Sequence, residues 1–273
     1  MIKYGGDASL KELMKMSKKT VLIVGGAGYL GSAMADAIAE VGANIAIADK
    51  NAKAGEMVCR ELSKKHGVKT EFYEVDLLDN ESLANLPTSV FDRFNSIDGV
   101  IYAAAIVIDK YIEGWSEEFQ LQSSRLWADA MQINLTGAFT IARESEQFLM
   151  KSTSASIVNI ISHYGLVGPD YSLYEGTEMR NPAAYAASKG GLLQLTRWLA
   201  ATMAPNVRVN AITPGGIFRN HEEPFLSRYA NKTLLGRMGR EDDFKGAAVY
   251  LISNLSQYVT GQNLVIDGGI TVT

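Results

Sequence analysis

The sequence predicts a single doubly wound α/β domain, one parallel sheet with helices packed on both of its faces. Short β-branched runs alternate with longer segments of helical apolar spacing along the whole chain. The runs are apolar throughout, as strands buried on both faces must be, which points to parallel pairing and right-handed crossovers. No Pro/Gly/Ser-rich break separates two bodies, so the domain is expected to span residues 20–273, behind an N-terminal extension over 1–19.

The elements follow in order. A strand over Thr20–Val24 runs straight into Gly25-Gly26-Ala27-Gly28-Tyr29-Leu30-Gly31 and a helix over Tyr29–Val41. Glycines at that junction permit a tight turn, backbone approach to a pyrophosphate and close packing of helix on strand. The helix start then offers free N–H groups and a positive dipole end to the phosphates. The next strand, Asn44–Ala48, leads into Asp49, 18 residues after Gly31. A carboxylate there can accept both ribose hydroxyls of an adenosine and repel a 2′-phosphate, which favours NAD. The competing reading makes Asp49 a turn residue capping the next helix, and Lys50 and Lys53 leave room for NADP. A helix over Ala52–His66 and strands over Thr70–Val75 and Gly99–Tyr102 come next. They are followed by a long helix over Trp127–Met150, a strand over Ser156–Ile161 and a helix over Ala183–Met203. Strands over Val207–Ile212 and Asn263–Ile266 flank a last helix over Glu241–Leu251.

The helix Ala183–Met203 carries Tyr185 and Lys189 one turn apart, on one face. An ammonium beside a phenol favours the phenolate and lowers its pKa toward the range of an acid/base catalyst. The pair alone is weak evidence, since random placement gives roughly 0.7 such matches. Composition narrows the alternatives. The chain has 273 residues, 47% hydrophobic and 21% charged, with a net charge of −4, so it offers no electrostatic case for nucleic acid or an anionic membrane. Cys59 is the single cysteine and the three histidines (His66, His163, His221) are scattered, which excludes a disulfide and argues against a metal. The apolar runs are strand-sized and the start of the chain is polar, so neither a signal peptide nor a membrane span is expected, and the cytoplasm is the default location.

With these residues in view, the chain resembles the short-chain dehydrogenase/reductase family from about Thr20 to Gly269. The matching features are collinear: the glycine loop, Asp49, and Val75-Asp76-Leu77. They continue with Asn134 in Ile133-Asn134-Leu135-Thr136-Gly137, Ser162 closing a strand, Tyr185-x-x-x-Lys189, Asn210-Ala211-Ile212-Thr213-Pro214-Gly215, and Asp267-Gly268-Gly269. The resemblance implies a Rossmann fold with seven strands in the order 3-2-1-4-5-6-7. It implies Tyr185 as general acid/base and Lys189 as stabiliser of the phenolate and holder of the nicotinamide ribose. Ser162 would bond the substrate carbonyl oxygen, and Asn134 would bend its helix and hold a water that links Lys189 to solvent. The cofactor would meet Gly25, Gly28, Tyr29, Leu30, Gly31, Asp49, Asp76, Leu77, Ala103, Ala104, Ala105, Pro214, Gly215 and Ile217, besides Tyr185 and Lys189. Two departures stand out. The spacing Gly25, Gly28, Gly31 is more usual in the branch that acts on nucleotide sugars, yet the final glycine pair lies too near the last residue for that branch's C-terminal substrate domain. Tyr102-Ala103-Ala104-Ala105 stands where the family usually shows Asn-Asn-Ala-Gly, so a polar network is expected to be missing.

Between Ser162 and Tyr185 lie 22 residues, more than the family's usual spacing. This insertion, with Tyr171, Tyr174, Glu175, Glu178 and Arg180, is expected to fold over the site as a polar wall. The segment around 216–235 is the substrate loop, with Arg219 and His221 after the Pro-Gly turn. Its start, Gly-Gly-Ile-Phe…Pro-Phe, resembles that of short-chain oxidoreductases of flagellin modification and surface-sugar synthesis. His163, Arg180, Arg219 and His221 are the candidate substrate residues, and two guanidiniums suggest an anionic group on a polar substrate. The competing explanation is internal ion pairing with Glu178, Glu222 or Glu223. An NAD-dependent oxidoreductase acting on CH–OH groups leads the functional readings. The others are a nucleotide-sugar epimerase or dehydratase with tightly held NAD, and an idle NAD-binding regulator. The apolar circumference of Ala183–Met203 and of Trp127–Met150 argues for a homo-oligomer, and the family resemblance implies a tetramer.

Overall fold

The computed structural model describes residues 8–106 and 112–273. Its centre is a seven-stranded parallel sheet in the order β3-β2-β1-β4-β5-β6-β7. The strands are β1 (Thr20–Val24), β2 (Asn44–Asp49), β3 (Thr70–Glu74), β4 (Gly99–Tyr102), β5 (Ala155–Ile160), β6 (Val207–Pro214) and β7 (Asn263–Ile266). In register, Val24 lies beside Ala48 on one side and Tyr102 on the other. The strand order reverses at β1, and the crevice at that switch point is where open α/β sheets bind ligands.

Every β1 side chain is buried, because helices cover both faces. On one face Leu22, Val100, Ile157 and Val209 pack against α4 (Asn80–Phe94), α6 (Gly137–Leu149) and α7 (Ala183–Met203). On the other, Val21, Ile47, Ile101 and Ile212 meet α2 (Tyr29–Glu40), α3 (Ala52–His66) and α9 (Asp242–Ile252). Asp36 on α2 ties three elements at the rim, accepting from Lys65 at 2.7 Å, His66 at 2.8 Å and Lys245 at 3.1 Å. These partners hold its carboxyl far below the usual range despite the opposing effect of burial.

Two elements differ from the sequence expectation. The segment between β3 and β4, to which periodicity assigns no helix, forms α4, capped by the Asp79 carboxylate on the N–H groups of Glu81 and Ser82. Pro87 inside it removes one backbone bond, while Leu83, Leu86 and Val90 bury enough apolar surface to offset the loss. The long helix expected over Trp127–Met150 is α5 (Ser124–Met131) and α6, joined by a π-helical turn over Gln132–Thr136. Residues 8–19 of the expected extension pack against the domain. A short α1 (Leu10–Met14) with a Ser9/Glu12 capping box precedes Met16, which is fully buried and donates its N–H to the Val41 carbonyl.

The insertion and the substrate loop build one cap over the carboxyl ends of β5 and β6. The loop contains α8 (Phe225–Lys232), whose Lys232 pairs with Asp170 and whose Arg228 donates to the Glu175 carbonyl. The Tyr164 and Tyr174 hydroxyls bond each other beneath it, and the Tyr174 and Phe225 rings lie 5.3 Å apart. The expected polar wall is therefore corrected: Tyr164, Leu173, Tyr174, Phe225 and Tyr229 turn inward as an aromatic layer, and the insertion's exposed charges (Glu175 among them) lie outside it. Aromatic rings bury more area than carboxylates can without a partner, so they take the inner side.

Candidate active site

The candidate residues collect at the carboxyl ends of β1, β2, β4, β5 and β6. Gly25 begins the first turn with φ of 78°, and a Cβ there would lie 2.6 Å from the Ala104 nitrogen. Gly31 is equally constrained, since a Cβ would lie 2.2 Å from the Gly25 carbonyl oxygen. Small residues at 25, 31 and 104 thus let three backbone segments approach, leaving the first turn of α2 open to a dinucleotide. Asp49 supplies the charge. Its Oδ2 accepts from the Ala27 N–H at 3.1 Å and its Oδ1 from Asn51 at 3.1 Å, so the carboxylate braces the glycine loop from the tip of β2. Asp76 is exposed after β3 and turns its own chain by accepting from Leu78 at 3.0 Å, and Leu77 offers its carbonyl to Gln132.

The four candidate catalytic residues come from three elements. Ser162 follows β5, Tyr185 and Lys189 share α7, and Asn134 is the centre of the π-helical turn. Tyr185 is within hydrogen-bonding reach of Ser162. Lys189 is almost wholly buried and donates to the Ile160 carbonyl at 2.7 Å. Burial pushes its pKa down to about 7. Burial also raises the Tyr185 phenol, and the Ser162 bond offsets that in part. The lowering expected from the Lys189 ammonium is therefore not the governing effect in this state: desolvation of both groups outweighs it, and the ammonium is engaged by Ile160.

Asn134 is fully buried with both amide ends occupied. Its Oδ1 accepts from Ile106 N–H at 2.8 Å and its Nδ2 donates to Ser188 Oγ at 3.0 Å; Ser188 in turn donates to the Tyr185 carbonyl at 3.0 Å. Tyr102, in the place of a family asparagine, donates its hydroxyl to the Ile133 carbonyl, inside the π-helical turn. The polar network expected to be missing is thus rebuilt by Tyr102 and Asn134, around Ala103, Ala104 and Ala105. Sequence reading passed over Ser188 and gave Tyr102 no role beyond a departure from the family pattern; their only signals were a hydroxyl beside Lys189 and one beside the Ala run. Pro214 ends β6, Gly215 donates to the Ile266 carbonyl at 3.0 Å, and Ile217 bridges to Gly239.

The four substrate candidates scatter. His163 is buried beneath the cap, 3.9 Å from the Tyr164 ring, bonded to the Pro214 carbonyl and with no partner for Nδ1. Burial holds it neutral, with a pKa of about 4. His221 accepts the Arg219 N–H at 3.1 Å and stacks near Phe225. Arg180 pairs with Glu118 at 3.4 Å. Arg219 turns to the glycine loop, 4.1 Å over the Tyr29 ring and 2.6 Å from Glu241. The two guanidiniums therefore have separate carboxylate partners, neither of them one of the three glutamates weighed from the sequence. Among the described residues, no cluster of His, Cys, Asp and Glu could hold a metal, and no helix is long and apolar enough to cross a membrane.

Known proteins share this arrangement. A family model described as enoyl-(acyl carrier protein) reductase matches residues 26–271. The 3-oxoacyl-[acyl-carrier-protein] reductase FabG of Aquifex aeolicus is 29% identical over 262 residues, 94% of this chain and 99% of that protein. The post-translational flagellin modification protein A of Campylobacter coli is 27% identical over 256 residues, 93% of this chain and 98% of that one. The NADPH-dependent 3-quinuclidinone reductase of Rhodotorula rubra superposes with a TM-score of 0.86 at 28% identity, covering 100% of this chain and 98% of its own. With the seven-stranded sheet in this order, the open glycine turn and the Ser162, Tyr185 and Lys189 constellation, the chain belongs to the short-chain dehydrogenase/reductase family of oxidoreductases.

Proposed function

We propose that the protein is an NAD-dependent dehydrogenase/reductase interconverting a polar secondary alcohol and its carbonyl. The observation that carries this reading is Tyr185 beside Ser162 at the end of β5, with Lys189 one turn along the same helix and Asp49 at the same end of the sheet, on the tip of β2. The residues fit a nicotinamide dinucleotide: the turn at Gly25 and Gly31 has no room for a side chain, and Asp49 stands at the end of β2. The cofactor supplies the hydride. The chain's own part is proton handling and orientation. Ser162 donates to the substrate oxygen as charge develops on it, and Tyr185 gives or takes the proton at that oxygen. Lys189, with a pKa of about 7, carries a charge that varies over the working pH and so biases the phenol. Asn134 holds the π-helical turn against α7 through Ser188, keeping Tyr185 in place.

The similarity to a flagellin modification protein supports a sugar derivative as substrate, and the aromatic inner layer of the cap suits a ring with apolar faces. A screen of phosphorylated and nucleotide-linked sugars, followed by NADH absorbance, tests this; turnover confined to acyl-carrier thioesters would replace it. Release of free NADH during turnover separates a dehydrogenase from an epimerase that retains its cofactor. NADP is the second reading, favoured by a similar reductase named NADPH-dependent and by Lys50 next to Asp49. Asp49→Ala should weaken NADH and tighten NADPH in a fluorescence titration. A wild-type protein that already prefers NADPH removes the assignment of Asp49.

A further inference from the structure

Arg219 lies where a cation is electrostatically disfavoured. Its guanidinium sits 4.1 Å from the Tyr29 ring centre, and Tyr29 is the first residue of α2. Its Nη1 is 2.6 Å from Glu241, the residue that caps α9. The positive ends of two helices lie beside it, so the position is held by the ring face and the carboxylate against the helix fields. The Arg219 backbone belongs to the substrate loop. That loop is rooted on the far side by Gly239, which donates to Gly216 at 2.8 Å and accepts from Phe218 at 3.0 Å. Arg219 is also tied to His221, whose ring approaches Phe225 of α8. The side chain therefore crosses from the substrate loop to the glycine turn, over the start of the helix that would face the phosphates of a bound dinucleotide.

We propose that Arg219 and Tyr29 form a strap across the dinucleotide cleft, so that cofactor release waits for their stack to open. Both act as positioning residues, since neither is placed at the reacting atoms. The proposal rests on the cleft being a nicotinamide dinucleotide site, and two measurements keep the two claims apart. In the cofactor-free protein, hydrogen exchange of the 216–223 amides should quicken about tenfold in Tyr29→Ala and in Arg219→Ala, as loss of a cation–π contact and its ion pair would allow. Tyr29→Phe, which keeps the ring, should exchange like the wild type. The double variant should be no faster than Arg219→Ala, because that change already removes both the ring contact and the Glu241 pair and a contact cannot be lost twice. NADH dissociation, followed by stopped-flow fluorescence, should show the same pattern with the same size of effect. Unchanged exchange in Tyr29→Ala, or fully additive effects in the double variant, would overturn the strap. Faster exchange with unchanged NADH release would overturn its role in retention. A wild type that binds neither NADH nor NADPH would sink the functional reading and the retention claim together, while exchange still decides the contact.

Discussion

Tyr185 and His163 show how burial sets the chemistry of single side chains here. Tyr185→Phe removes the transferable proton and leaves the ring, so turnover should fall at least ~100-fold while NADH binding changes little; retained turnover would assign the proton to another group. His163 gives a pH prediction. Its folded pKa of about 4 lies below the ordinary 6.5, so between those values the unfolded chain binds a proton that the folded one refuses. Stability should be complete above pH 6.5 and fall by up to about 3 kcal/mol as pH drops through 4. Urea midpoints of the wild type and His163→Gln should differ in this slope, and parallel slopes would refute it. Lys189 acts in another window: its burial penalty is greatest below pH 7 and fades toward 10.5, so its contribution to stability rises with pH. The four candidate catalytic residues could be picked out of the sequence because each sits in a short motif. The protonation behaviour could not, since it depends on burial and on the Ile160 carbonyl, and neither has a sequence signature.

At the scale of elements, the π-helical turn at Gln132–Thr136 is the least regular and the most consequential. Asn134→Ala would leave the Ile106 N–H and the Ser188 hydroxyl without their buried partner. It should cost about 1–3 kcal/mol in chemical denaturation and lower turnover along with stability, because Ser188 is bonded to Tyr185. A variant as stable as the wild type would show that the bracket is dispensable. Strands and the α2, α3 and α7 helices read directly from the sequence, because β-branched runs and apolar spacing are local signals. Two features did not. α4 carries Asn, Ser, Thr and an internal Pro, whose propensities oppose a helix until Leu83, Leu86 and Val90 find the sheet. The extra residue in the π-helical turn leaves the apolar spacing on either side intact, so one helix was expected where two meet.

For the whole molecule, the seven-strand order followed from family resemblance and the sheet bears it out, whereas assembly rests on exposed surface. Trp127, Phe139 and Trp198 are 43%, 38% and 55% exposed on α5, α6 and α7, more aromatic surface than a free helix face usually shows. Light scattering at micromolar concentration should give an oligomer, a tetramer in the simplest case, and Trp198→Glu should reduce its mass. A monomeric wild type would end that expectation. The inward aromatic layer of the cap was not legible, because Phe225 and Tyr229 come to Tyr164 and Tyr174 from a distant segment of the chain. The joint that holds this cap has a consequence for how such a protein can diverge. Asp170 and Lys232 are 62 residues apart in the chain, and Glu175 and Arg228 are 53 apart, yet each pair closes the same seam. A lineage that remodels the insertion alone strands an ammonium on α8; one that remodels α8 alone strands a carboxylate in the insertion. A chimera exchanging only one segment therefore carries a mismatched seam at Asp170 and Lys232.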